Sequence, residues 1–199
     1  MEIYMKKKLI LVASPPACGK TYVSERIARE MGHIVYLDKD DLADLLRRSF
    51  ELCGEELNMD GEFYSKNLRS YEYSTIMNIA FSTLRFEDLV LLNGPLSREV
   101  RDLEYMRGIK ARAEALGAEL VLIWVTAPLS VCRERMTRRN SDRDTLKLQN
   151  WEAYVKNIDY SAPVLLEKEN AVHHFTVFDT ASEETFERCF AEVIEILKL

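Results

Sequence analysis

Short uninterrupted apolar runs alternate along this chain with longer stretches whose apolar residues recur every three or four positions. The runs have strand length, and those at 7–13, 33–37, 88–93, 120–125 and 175–178 read as strands. The longer stretches read as helices at 19–31, at 40–50 with Leu42, Leu45 and Leu46 on one face, at 62–85 and at 98–116. Gly32 and Gly117 punctuate the pattern. A helix from Leu129 leads through an arginine-rich segment to Arg143, a further helix carries Trp151 and Tyr154, and an amphipathic helix closes the chain over 182–197. Strands alternating with helices predict an α/β fold, a doubly wound five-stranded parallel sheet sandwiched by helices. Right-handed crossovers restrict its topology further. No repeat, low-complexity linker or second domain interrupts residues 1–199, which form one expected unit. Within it, 53–85 reads as a helical insertion opened by a polar break (53–61), and 133–148 as a lid.

The phosphate chemistry sits where the first strand meets the first helix. The segment Ser14-Pro15-Pro16-Ala17-Cys18-Gly19-Lys20-Thr21 follows Leu9–Ala13 and opens a helical stretch, which is the context of a phosphate-binding P-loop. In such a loop, successive backbone N–H groups and a helix N-terminus converge on a polyphosphate. Lys20 would reach the β- and γ-phosphates and the Thr21 hydroxyl would hold Mg²⁺. Ser14 stands where the pattern G-x-x-x-x-G-K-[ST] has its first glycine, so the backbone there must be one a serine can adopt. The bland alternative is a strand, a Pro-Pro turn and a helix with no ligand. The motif makes the expected fold a P-loop NTPase.

Composition narrows the class. With 47% hydrophobic and 30% charged residues in 199, the chain has the profile of a soluble globular protein with a core. No apolar run approaches the roughly 20 residues of a membrane span. The lysines near the N-terminus lack a following signal-type apolar region, because Ser14-Pro15-Pro16 breaks it. Cys18, Cys53, Cys132 and Cys189 are scattered and read as reduced thiols, which with the missing leader points to the cytoplasm. The three histidines (33, 173, 174) offer no metal-ligand spacing, and a net charge of −6 argues against coating long nucleic acids.

Ligands of open parallel sheets bind beyond the carboxyl ends of the strands. Those ends carry the P-loop, Asp38-Lys39-Asp40-Asp41, Asn93-Gly94-Pro95-Leu96-Ser97-Arg98, Thr126-Ala127-Pro128 and Asp179-Thr180-Ala181-Ser182. Among the three aspartates, one serves as a helix cap in the bland reading, and Asp38 is placed for it. Asp40 is then the candidate base toward an acceptor hydroxyl, with Asp38 and Asp41 as alternatives. Five arginines in 133–143 read either as a solvated helix face or as a lid that closes over ATP. Phe63, Tyr64, Tyr71, Tyr73 and Phe81, with Lys66 and Arg69, make either a core stripe or an acceptor platform.

Taken together, Ser14–Thr21, Asp40-Asp41, Arg98 after the third strand and Arg135…Arg139-Asn140-Ser141…Arg143 resemble the P-loop kinases. The resemblance is to small ATP-binding kinase-like proteins that include polynucleotide 5′-hydroxyl kinase and the zeta-toxin kinases. It implies Lys20 and Thr21 on ATP and Mg²⁺, Asp40 as general base, and Arg139 and Arg143 on the transferred phosphate. It further implies Arg135, Asp179 and Thr180 near the nucleotide, Asp38 assisting the metal, and Arg69, Asn93 and Arg98 beside the acceptor. Two departures matter: Asn93 stands where related kinases often have an acidic residue, and Ala43 stands where the polynucleotide kinases have arginine. Ala43 and the net charge count against a nucleic-acid 5′ end as acceptor. A kinase acting on a small molecule or nucleotide is therefore expected. A partner-dependent ATP switch or slow ATPase is the alternative, which the residues Asn93-Gly94-Pro95 disfavour by lacking a glutamate to polarise water.

Overall fold

In the computed structural model, residues 6–199 are described, apart from the side chains of Asp142, Arg143 and Leu146. Five strands, β1 (Lys8–Ala13), β2 (Val35–Asp38), β3 (Leu89–Asn93), β4 (Glu119–Thr126) and β5 (His174–Asp179), form one sheet in the order β2-β3-β1-β4-β5. Every pairing is parallel. Residues of β1 point alternately to two cores, as the period of a strand requires. Leu9, Leu11 and Ala13 join one core with helices α3 (Arg69–Leu84) and α4 (Leu103–Glu114). Ile10 and Val12 join the other with α1 (Lys20–Met31), α5 (Leu129–Arg139) and α9 (Glu183–Lys198). The fully buried central strand explains its unbroken apolar run.

Several boundaries differ from the pattern for local reasons. The helix expected at 40–50 starts as a 3₁₀ turn over Lys39–Leu42, capped by the Asp38 side chain, and continues as α2 (Ala43–Cys53). The stretch 62–85 divides, with one π-helical turn over Tyr64–Leu68 preceding α3. The helix expected from Arg98 is interrupted at Asp102, whose extended backbone and side chain cap α4. The arginine-rich segment belongs to α5, which ends at Asn140 in a left-handed conformation, followed by α6 (Asp142–Gln149) and α7 (Trp151–Lys156). A four-residue helix α8 (Leu165–Lys168) had no periodic signature, being one turn long. Leu46, Phe50 and Tyr64 form a small satellite core under α2.

Candidate active site

β1 lies between β3 and β4, so the chain that leaves it toward β2 and the chain that crosses back to β4 diverge above it. The loop after β1 occupies that crevice. It is pinned from the β3 side, where Ser14 N–H donates to the Pro95 carbonyl (3.3 Å) and Gly94 N–H to that of Val12 (3.2 Å). Ser14 is buried and is not among the residues with positive φ, which is why serine is tolerated there. The left-handed positions are Ala17 (φ 65°) and Gly19 (φ 94°). Gly19 is the N-cap of α1, and no side chain caps that helix or puts a carboxylate in its first turn. First-turn N–H groups have no intrahelical acceptor, so the uncapped start of α1 offers donors to an anion.

Asn93, fully buried at the end of β3, joins the loop to the next strand. Its Oδ1 accepts from Lys20 Nζ (2.6 Å) and Ser24 Oγ (3.1 Å), while its Nδ2 donates to Asp38 Oδ2 (2.5 Å) and faces Thr21 Oγ1 at 3.5 Å. The amide orientation follows from this network, cations and hydroxyl on the oxygen and the carboxylate on the nitrogen. Asp38 also accepts from Tyr36 OH (3.0 Å) and from the Asp40 backbone N–H (2.9 Å). Burial, then the Asp38 charge, pushes the Tyr36 phenol above its ordinary range, so it remains a donor. Asp40 and Asp41 are exposed, and Lys39 Nζ lies 3.2 Å from Asp40 Oδ1.

A second network lies beneath Asp40. Lys39 is buried and donates to Glu72 Oε1 (3.0 Å), and Tyr64 donates a short hydrogen bond to Glu72 Oε2. The Glu72 side chain is fully buried, so the network ties the 3₁₀ turn, the π-helical turn and α3 together. Sequence reasoning missed it, because Lys39 among three aspartates reads as a solvated charge and nothing local links it to a glutamate 33 residues on. Ser24, four residues after Lys20 on the same face of α1, could have been found by helical spacing.

On the other flank, Thr180 beyond β5 donates to the Cys18 carbonyl (2.7 Å). Arg135 Nη1 reaches Thr180 Oγ1 (2.9 Å) and the Ala17 carbonyl (3.4 Å), and its Nη2 reaches the Thr180 carbonyl (2.9 Å). A Cβ on Gly19 would come within 3.3 Å of that guanidinium and would have to adopt the same positive φ. Asp179 folds back to the Ala181 N–H (2.8 Å).

The remaining expected site residues are held elsewhere. Arg69 is not open to an acceptor: it makes a bidentate pair with Glu99 and lies 4.3 Å from the Tyr73 ring centroid. Asn93 is likewise enclosed by Lys20, Ser24 and Asp38, which places it inside the site's framework rather than on an acceptor surface. Arg139 donates twice to Asp144 Oδ2 (2.8 and 2.6 Å), a buried carboxylate. The Arg143 side chain lies outside the described residues. Arg98 is exposed and donates to Ser65 (3.0 Å). Tyr64, Tyr73 and Phe81 are buried core residues, whereas Tyr71 is 70% exposed, so the aromatic stripe is mostly core. Lys147 on α6 pairs with Asp60 (3.1 Å), joining the expected lid to the expected insertion. A groove of about 700 Å³ lined by Leu129, Arg133, Arg138 and Trp151 lies on the face of α5 opposite Arg135 and therefore outside this site.

No group of three or more metal-ligating His, Cys, Asp or Glu occurs among the described residues. The donor set is hydroxyl and carboxylate, Thr21 and Asp38, which suits a hard cation that brings its own waters and phosphate ligands.

The family described as the AAA domain matches residues 9–160, and the chain belongs to it. Its fold is that of the P-loop kinases. A candidate kinase from Chloroflexus aurantiacus superposes with a TM-score of 0.65 at 19% identity, covering 97% of each chain. The APS kinase of Mycobacterium tuberculosis, solved with AMPPNP and APS, has a TM-score of 0.58 at 18% identity, covering 98% of this chain and 99% of that one. Shikimate kinase from Bacteroides thetaiotaomicron has a TM-score of 0.54 at 13% identity, covering 97% and 99%. No curated protein matches the sequence. No helix among the described residues is long and apolar enough to cross a membrane.

Proposed function

We propose that the protein is an ATP-dependent kinase that transfers the γ-phosphoryl group to a hydroxyl of a small molecule or nucleotide. The observation that carries this reading is the joining of Lys20, Thr21, Asn93 and Asp38 at the carboxyl ends of three adjacent strands, with the exposed carboxylate of Asp40 two residues beyond. The solved kinases of the same fold support it, one of them holding an ATP analogue together with an acceptor.

Backbone N–H groups of 17–21 bind the phosphates, and Lys20 turns from Asn93 toward the β,γ-oxygens. Mg²⁺, held by Thr21 with Asp38 nearby, would neutralise charge on the phosphates. Asp40 accepts the proton of the attacking hydroxyl, which its exposure allows an acceptor to reach. Arg135 and residues 179–182 border the base. For Arg139 to reach a phosphate it must exchange Asp144 for it, which makes 133–148 a lid whose closure is coupled to ligand.

The test follows labelled γ-phosphate from Mg-ATP into a fractionated metabolite pool, with Lys20→Ala as control. Label on a new metabolite supports the kinase and identifies the acceptor by mass. Label released only as inorganic phosphate, whatever fraction is added, rejects it in favour of an ATPase or switch.

A further inference from the structure

Cys18 is the P-loop residue directly before Gly19-Lys20, and its thiol has an unusual neighbour. Its Sγ lies 3.7 Å from Sγ of Cys132 on α5, a residue 114 positions away in the chain. Both side chains are buried, 1% and 0% exposed, under the loop and beside Tyr160. Bringing the sulfurs to about 2.05 Å requires a movement of roughly 1.7 Å. The loop has little slack for it. Cys18 stands between the two left-handed residues Ala17 and Gly19, its carbonyl is held by Thr180, and the guanidinium of Arg135 covers Gly19.

We propose that Cys18 and Cys132 are a redox modification site, in which a small peroxide converts the pair to a disulfide that tethers the phosphate loop to α5 and weakens nucleotide binding reversibly. The thiolate of Cys132 attacks the peroxide; an S–O bond forms, the O–O bond breaks and hydroxide leaves. Cys18 then attacks the sulfenic sulfur; the S–S bond forms, the S–O bond breaks, and the Cys18 proton leaves with the second hydroxide as water. Each sulfur loses one electron, and the peroxide is reduced by two. The Arg135 charge acts to lower both thiols and so favours the reactive thiolate. Because either sulfur can donate the hydrogen bond between them, exchanging the two roles gives the same disulfide. Once formed, the bond draws Cys18 toward α5, and the N–H groups of the loop lose their convergent arrangement.

The exposed Cys53 is replaced by serine to remove a competing thiol. The full chain is then treated with hydrogen peroxide, alkylated and mapped by mass spectrometry, and Mg-ATP binding is followed with a fluorescent ATP analogue. The expected result is a linked Cys18–Cys132 peptide, affinity weakened by about tenfold or more, and recovery of both with dithiothreitol. ATP added before the peroxide should slow the linkage. Cys132→Ala should bind ATP as the reduced protein does and be indifferent to peroxide. Because the peptide map is made on protein with both cysteines present, it does not depend on how that variant folds. Peroxide that leaves both thiols alkylatable, or a linked protein with unchanged affinity, overturns the proposal.

Discussion

On the nucleotide flank, the candidate groups stand on strands or just beyond them: Asn93 ends β3, Asp38 ends β2, and Thr180 follows β5 and holds the loop after β1. On the acceptor flank, residues 43–68 rest on a satellite core of Leu46, Phe50 and Tyr64 and on the buried Lys39–Glu72–Tyr64 network. β1 and β3 are paired on both edges and buried along their length, and the edge strands β2 and β5 are each paired to an inner strand, so changing one loop leaves a strand end in place. A segment held by three apolar residues and one ionic network can be reshaped by a few substitutions. In the proposed kinase, phosphate binding would thus be set by the fold, and choice of acceptor by the part the fold constrains least.

The sharpest break between the two flanks comes from Asp40→Asn. It should lower phosphoryl transfer by about 10²–10⁴-fold and leave ATP affinity unchanged; intact transfer would move the base to Asp38 or Asp41. Next comes the acceptor-side network. Glu72→Ala takes the buried partner from both Lys39 and Tyr64 and leaves Lys39 only the exposed Asp40 carboxylate. Breaking a buried pair costs on the order of 3–5 kcal/mol, and the remaining pairing places this one toward the lower end. Chemical denaturation should register that loss, whereas Glu72→Leu with Lys39→Met should restore most of it. If the single change is silent, the network does not hold the acceptor flank. Lys20→Ala should reduce turnover by about 10²–10³-fold, and here ATP binding should weaken as well, in contrast to Asp40→Asn.

The smallest effect is a pH dependence on neither flank but at the opposite end of the sheet. His173 Nδ1 accepts the Leu120 N–H (2.9 Å), which only the neutral ring can do. Burial, then the charge of Lys110, holds its folded pKa below the ordinary value. Below pH about 6.5 the unfolded chain takes up a proton that the folded chain resists. Stability should therefore fall as pH drops from 7.5 to 5.5, with no contribution from this group above that window. Thermal melts of wild type and His173→Gln at both pH values measure it, and an equal slope in the two proteins would assign the dependence elsewhere.

How much of this was legible in the sequence follows the same division. The strands, their order along the chain and the P-loop were readable because burial on two faces leaves unbroken apolar runs and because the loop motif is local. The capping role of Asp38 was readable too, since it stands one residue before a helical turn. The spatial strand order was not, since each crossover fixes handedness but not which edge a strand joins. The partners of Arg69 and Arg139 were also illegible. Glu99 lies 30 residues from Arg69, and Asp144 follows Arg139 across a helix break at Asn140 that helical periodicity runs straight through.

Asn93 differs from an acidic residue by one atom group, and that difference bears on how readily the site lets go. The contact it offers Lys20 is an amide dipole, whereas a carboxylate there would offer a full charge. The ammonium makes either bond charge-assisted, but a carboxylate would add the attraction of a second full charge, so residue 93 restrains Lys20 less than an acidic residue would. The same amide donates to Asp38 instead of adding a second negative charge beside it. At this contact the resting site aims its lysine with a dipole rather than with a second charge.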